Sequence, residues 1–307
     1  MDISKINSHD SFFKALFSRK NDVIEFVEKT FPKELTSKLH LDTLEIDKTE
    51  YIDNKLRSNF SDLVYNCKYG NGITVKISLL LEHKSYAEAY PHFQLLGYMQ
   101  KIWQTQLKQN QKLTPIIPVI FYHGKQKWHQ KNFEEYFDYI DATLQKYIPK
   151  FDYQLIDIST LTDEQIIKLF ENIELRIAIL LMKNIFYEQK ILQELGKFFA
   201  GLDKLLQTPE GEEFFDMLTA YLFYTTQIET QKFVSKMRTI SPNAGEKFIS
   251  TAMRLKMEGR KMGIEKIAFS MIKKGYTDEE IMELTGLTQE QIDYLRSLKE
   301  FELDNDL

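Results

Sequence analysis

The chain has 307 residues, 43% apolar and 28% charged, enough for one large domain with an appendage or for two small ones. Its single cysteine, Cys67, excludes an internal disulfide framework and a cysteine-based zinc site. No apolar run approaches the roughly 18 residues of a membrane span, and the opening Met1-Asp2-Ile3-Ser4-Lys5 lacks the apolar core of a signal peptide, so a cytoplasmic protein with no membrane partner is expected.

Residues 8–30 carry Phe12, Phe13, Leu16, Phe17, Val23, Ile24 and Val27 at helical spacing and predict one helix, ended by Thr30-Phe31-Pro32. Residues 43–51 predict a first strand. Residues 60–69 alternate, with Leu63, Tyr65 and Cys67 on one face and Asp62, Val64 and Asn66 on the other. Residues 72–84, rich in Ile, Val and Leu, predict its hairpin partner, because Gly70-Asn71-Gly72 accepts positive φ. Residues 88–110 predict a helix with Phe93, Leu96, Met99, Ile102, Trp103 and Leu107 inward. Pro115–Tyr122 predicts a short buried strand closed by His123-Gly124, residues 132–147 a helix, and Phe151–Ile158 a last strand. Beyond residue 162 the pattern is helical, over 163–198, 209–236 and 244–274. The tail then shows two capping boxes, Thr277-x-x-Glu280 and Thr288-x-x-Gln291, around Leu284-Thr285-Gly286-Leu287. This is a helix-turn-helix-like unit. The order predicts an α/β fold, a mixed sheet flanked by helices, followed by an all-helical C-terminal region.

Three residues stand out chemically. Asp62 opens one strand of the hairpin, and Glu82 and Lys84 close the other, at the end of the apolar run Ile77–Leu81. A charge at the end of such a run is expensive unless it emerges into a cleft. Converging carboxylates can hold a divalent metal, and a lysine beside them can steady a hydroxide or a developing phosphorane. Residues two apart on a strand share a face, so Glu82 and Lys84 point the same way. If Tyr69 pairs with Ile73, Asp62 lies opposite Leu80 and diagonal to Glu82. A shift of two puts Asp62 opposite Glu82, and a shift of one moves it to the other face. The sequence leaves these registers open.

The net charge of −5 hides an asymmetry. Residues 1–150 carry 21 basic and 18 acidic side chains, residues 151–307 carry 19 and 27. No acid occurs between Glu88 and Glu134, a stretch that holds Lys101, Lys108, Lys112, Lys125, Lys127 and Lys131 with His92, His123 and His129. Such a strip beside carboxylates suits a phosphate-backbone substrate. A solvated lysine face is the competing reading for Lys101, Lys108 and Lys112.

His9-Asp10-Ser11-Phe12-Phe13-Lys14, Ser61-Asp62-Leu63-Val64-Tyr65, Leu80-Leu81-Glu82-His83-Lys84-Ser85, the Gln94 to Trp103 helix and Pro115 to Gly124 resemble, in this order, the Rpn family of recombination-promoting nucleases. These YhgA-like proteins fall within the PD-(D/E)XK nuclease superfamily. Gly263–Ala268 through Ile281–Leu287 is similar to a tail often attached to that family. The match spans most of the chain, and its specificity lies in the ordered set. The resemblance implies a Mg²⁺-dependent DNA endonuclease, with Mn²⁺ as substitute, linked to recombination or mobile elements. It implies Asp62 and Glu82 as metal ligands with the His83 carbonyl, Lys84 as catalytic lysine and Gln94 as a supporting glutamine. Asp10 is either an added acid or a helix cap beside Ser8. The superfamily's proline position holds Ser61. The division that follows is a nuclease core over 1–160, a helical extension over 161–250 and a tail over 251–307, the tail serving a homo-oligomer more than DNA. Two other readings are an inactive DNA-binding accessory protein and a helical interaction module without DNA.

Overall fold

A computed structural model describes residues 8–47, 62–82 and 88–304, with the backbone alone at Ser8, Asp62, 80–82 and 298–304. Five strands, β1 (Leu39–Ile46), β2 (Asp62–Tyr69), β3 (Ile73–Glu82), β4 (Ile116–Tyr122) and β5 (Gln154–Asp157), form one sheet in that order. β1, β2 and β3 are antiparallel neighbours, whereas β3–β4 and β4–β5 are parallel. The mixed sheet flanked by helices is the architecture the sequence predicts. Gly70 and Gly72, at φ 53° and 94°, make the β2–β3 turn, and Tyr69 pairs with Ile73.

The helices before the sheet are α1 (Ser8–Phe17), α2 (Lys20–Thr30) and the single turn α3 (Lys33–Thr36); α4 (Pro91–Lys108) connects β3 to β4. One sheet face is packed with aromatic rings. Phe121 of β4 meets Phe13, Phe17 and Phe26 with ring centroids 5.5, 5.9 and 5.7 Å away, and the Tyr65 hydroxyl donates to the Phe17 carbonyl at 2.6 Å. α4 covers the other face, where Leu95 packs with Ile120, Tyr122, Trp128 and Tyr153.

Several elements differ from the pattern. The helix expected over 8–30 is two helices, broken where Arg19 adopts an extended backbone, which lets Phe17 and Val23 both enter the core. The helix expected over 132–147 is a 3₁₀ turn (Phe133–Tyr136) and a short α5 (Ala142–Gln145), with Tyr139 at φ 54° between them. In α4 the inward residues include His92 and Gln106, while Phe93 and Leu107 are exposed. His92 finds the Tyr136 hydroxyl at 2.8 Å, and Gln106 donates to the Thr114 hydroxyl at 3.0 Å, so both can be buried.

After β5 the chain is helical: α6 (Asp163–Leu169), α7 (Ile173–Asn184), α8 (Glu188–Gln193), α9 (Leu195–Phe198), α10 (Leu202–Leu205), α11 (Pro209–Thr225), α12 (Thr230–Ile240), α13 (Pro242–Lys273), α14 (Asp278–Thr285) and α15 (Gln289–Asp304). No described helix is long and apolar enough to cross a membrane. The chain divides into two compact units, Asn7–Glu246 and one holding Lys247–Leu307. The second has its own core of Ala268, Met271, Ile272, Ile281, Leu287, Ile292 and Leu295. Both capping boxes form there: Thr277 N–H donates to Glu280 at 2.8 Å and Thr288 N–H to Gln291 at 2.9 Å. Gly286 ends α14 at φ 72°.

Within the first unit, a polar joint ties α2 to the segment before α7. Asp22 is 2% exposed and accepts from Asn172 Nδ2 at 2.7 Å, while Arg19 pairs with Glu174. Burial, opposed by Arg19, pushes the Asp22 carboxyl up to about 7. The folded chain therefore holds this proton more tightly than the unfolded chain does. The stability it contributes is full below about pH 4 and is lost as pH rises through about 7. Asp22→Asn should flatten the stability of the chain across that window, as measured by urea unfolding at successive pH values.

Candidate functional site

The parallel strands end together. Glu82 is the Cα partner of Tyr122, and Tyr122 that of Asp157, so the three form one row at the C-terminal edge of the sheet. In parallel α/β sheets this edge is where ligands gather. Tyr122 is fully buried, its hydroxyl bonded to the Gln126 carbonyl at 2.8 Å and its ring edge-on to Trp128. Asp157 accepts from the Ser159 N–H at 3.0 Å and caps the 3₁₀ turn Ile158–Thr160.

Of the registers the sequence leaves open, the hairpin adopts the one that sets Asp62 opposite Leu80. Asp62, Leu80 and Glu82 thus belong to one alternating set of positions, the set in line with Ile120 and Tyr122 on the face under α4. The side chains of Asp62 and Glu82, and all of His83 and Lys84, lie outside the described residues. Among the described residues, no group of three or more His, Cys, Asp or Glu side chains is placed to hold a metal.

Gln94 stands in the first turn of α4, on that same face. Its Nε2 is buried and makes no hydrogen bond among the described residues. Such a donor is costly to leave unmade and marks a place where an acceptor belongs. Asp10 is in the first turn of α1, where a carboxylate suits the helix dipole. That helix packs against Phe121, on the face opposite to the Asp62 and Glu82 set.

The basic strip is divided between the two ends of the sheet. Lys101 lies within α4 near the Tyr98 ring, Lys108 ends α4, and Lys112 is in the loop leading to the N-terminal end of β4. An 18-residue helix spans about 27 Å, so Lys108 and Lys112 stand far from the row of Glu82, Tyr122 and Asp157. Lys125 and Lys127 follow β4 directly and are exposed at the C-terminal edge, and Lys131 is exposed farther along the same segment.

Two histidines of the strip, His92 and His123, serve the fold. His92 is enclosed by the rings of Phe133, Phe151 and Tyr153, and burial lowers its pKa. His123 is 1% exposed and donates Nδ1 to the Met182 carbonyl at 3.1 Å, tying β4 to α7. It is therefore placed as a packing residue, and it brings His9 with it: the two rings are 5.6 Å apart, and His9 Nδ1 lies 3.0 Å from the Tyr221 hydroxyl.

Sequence reasoning missed a charged clamp beside this edge. Asp163, 4% exposed, holds Lys183 and Lys190 at 2.6 Å each and accepts from Asn184 Nδ2 at 3.2 Å. Thr162-Asp163 reads locally as a cap and a first-turn acid, and nothing local announces lysines 20 and 27 positions on. Burial alone would raise the Asp163 carboxyl, but the hydrogen bonds from Lys183, Lys190 and Asn184 outweigh it and hold it at about 2. A depressed carboxyl contributes stability above its unfolded pKa of about 4 and loses it as pH falls through about 2. Screened by solvent, that contribution is roughly 1 kcal/mol. Asp163→Asn should remove this share of the acid sensitivity, read as the difference between wild-type and variant unfolding free energies at pH 5 and pH 2.

A family model described as "Putative transposase, YhgA-like" matches residues 7–213. The chain is similar to "Recombination-promoting nuclease RpnA" of Escherichia coli (strain K12), 24% identical over 286 residues that cover 92% of this chain and 95% of that protein. It is similar to "Recombination-promoting nuclease RpnD" of Escherichia coli O157:H7, 24% identical over 250 residues, covering 80% and 93%. It is also similar to "Inactive recombination-promoting nuclease-like protein RpnE" of Escherichia coli (strain K12), 25% identical over 301 residues, covering 92% and 96%. No solved structure matches the chain at a significant level.

Proposed function

The chain belongs to the YhgA-like transposase family, and we propose that it is a Mg²⁺-dependent DNA endonuclease of the PD-(D/E)XK type that acts in recombination or on mobile elements. The observation that carries this reading is the hairpin register, which gives Asp62 and Glu82 the same alternation on the face covered by α4, whose Gln94 Nε2 has no partner among the described residues. The names of RpnA and RpnD add support.

The donor set fits a hard cation. Asp62, Glu82 and the His83 carbonyl are oxygen ligands of the kind Mg²⁺ takes, and Mn²⁺ accepts the same set. When bound, the cation supplies Lewis-acid polarisation of the scissile phosphate. Lys84 orients the attacking water and offsets charge as the phosphorane forms, an electrostatic role concentrated in the transition state. Gln94 donates its amide to a carboxylate or to the water and fixes its orientation. Lys125, Lys127 and Lys131 hold the DNA backbone near the edge, and Lys101 and Lys108 of α4, with Lys112 of the loop beyond it, meet the backbone farther along the duplex.

The reading of the chain as an inactive DNA-binding accessory protein draws on one observation. RpnE, named inactive, is as similar to this chain as RpnA is. Retention of Asp62, Glu82 and Lys84 favours activity. The helical tail is assigned to protein contact and a homo-oligomer. Arg296 of its last helix is bonded to Asp278 at 3.0 Å, while Met253, Met257 and Leu284 are exposed.

Lys84→Ala should leave Mg²⁺ binding by calorimetry within about twofold of wild type and lower the cleavage rate by about 100-fold or more. Gln94→Ala should lower cleavage by a smaller factor without loss of thermal stability. If Lys84→Ala cleaves like wild type, the lysine has no catalytic role.

A further inference from the structure

We propose that the end of β4 and the helical region form a pocket for one nucleotide of a single-stranded polynucleotide. The inference rests on the nuclease reading and adds to it a place where a frayed or displaced strand is held. A cavity of about 520 Å³ opens where Gly124, Lys125 and Lys127 face Lys183, Tyr187 and Lys190. Gly124 is two residues beyond Tyr122, the partner of Glu82, so the pocket shares the edge on which the cutting centre is assigned.

Four lysines line this cavity, and no carboxylate does among the described residues. Asp163 fixes two of the cations with one negative charge, which orients Lys183 and Lys190 and leaves the pocket positive. Asp157, the nearest acid of the strand row, is engaged by Ser159. Lys125 is held 5.3 Å from the centre of the Phe186 ring. A set of ammonium groups in one cavity, three of them held by Asp163 or against Phe186, recognises a phosphate group.

Size and the rim decide the rest of the ligand. The volume exceeds what a phosphate ion fills and falls in the roughly 300–1,000 Å³ range of small-molecule sites. Tyr187, 50% exposed, is the aromatic residue of the lining. Lysines along a backbone with an aromatic face for the base is the pattern by which single strands are held. A base pair inside a duplex could not present one nucleotide to such a concavity.

The test is fluorescence anisotropy of the full-length chain with a short labelled oligothymidylate in the presence of chelator, so that binding is read without cleavage. Tyr187→Ala should weaken binding by about 5- to 100-fold, and Tyr187→Phe should restore it. Lys125→Gln with Lys127→Gln should reduce the slope of log K against log salt by about 0.7 for each phosphate no longer neutralised. These variants are exposed, and an unchanged thermal midpoint confirms their fold. Oligothymidylate binding that none of the variants alters overturns the pocket. Thymidine monophosphate or inorganic phosphate binding without oligonucleotide binding assigns the cavity to a free small anion and also overturns it. Wild-type chain that cuts plasmid with Mg²⁺ but binds no single strand overturns the pocket alone. Pocket-dependent binding without any cleavage overturns the nuclease reading alone.

Discussion

The β2–β3 ladder is the constraint on which the rest depends. A slip of one residue would exchange the two faces of the hairpin. The aromatic side would then receive Asn66, Lys68 and Lys76 in place of Tyr65, Cys67 and Ile77, next to Phe13 and Phe17. The register is defended at both ends, by the two glycines of the turn and by the Tyr65 hydroxyl on the Phe17 carbonyl. The same alternation that packs Tyr65 inward gives Asp62 and Glu82 a common set on the other face.

That other face carries the polar demands of the hairpin. Lys76, 5% exposed, pairs with Asp47 and donates to Asn66 at 2.8 Å. A buried lysine is tolerable only with such partners. Charge on this face is thus arranged in layers, with Lys76 and Asp47 satisfied inside the sheet and the Glu82 row at the strand ends. α4 closes over it with apolar Leu95 and with polar groups that find partners, Gln94 Nε2 excepted among the described residues.

Much of this was legible in the sequence. The alternation of 60–69, the Gly-Asn-Gly turn, the apolar strand before His123 and both tail capping boxes carry local signals strong enough to survive folding. What escaped was decided by tertiary partners. Arg19 breaks the first helix because its ion pair with Glu174 lies across to another helix. The inward face of α4 is shifted because His92 and Gln106 meet the hydroxyls of Tyr136 and Thr114, both outside the helix. Nothing in the Lys101–Lys131 run says that the crossover helix divides it between opposite ends of the sheet. For the site itself, the sequence supplies Asp62, Glu82 and Lys84 and a choice of registers, and the structure selects the register. The clamp of Asp163 on Lys183 and Lys190 was invisible because it joins the starts and ends of separate helices.

The central claim is that Asp62 and Glu82 form one metal-dependent cutting centre with Lys84. Incubation of the purified chain with supercoiled plasmid and Mg²⁺, with and without chelator, beside Glu82→Ala, addresses it most directly. The account predicts nicked and linear DNA with wild type and Mg²⁺ only, and intact plasmid with chelator or with Glu82→Ala. Plasmid left intact by wild type with Mg²⁺ and with Mn²⁺, or cleavage undiminished in Glu82→Ala, would contradict it.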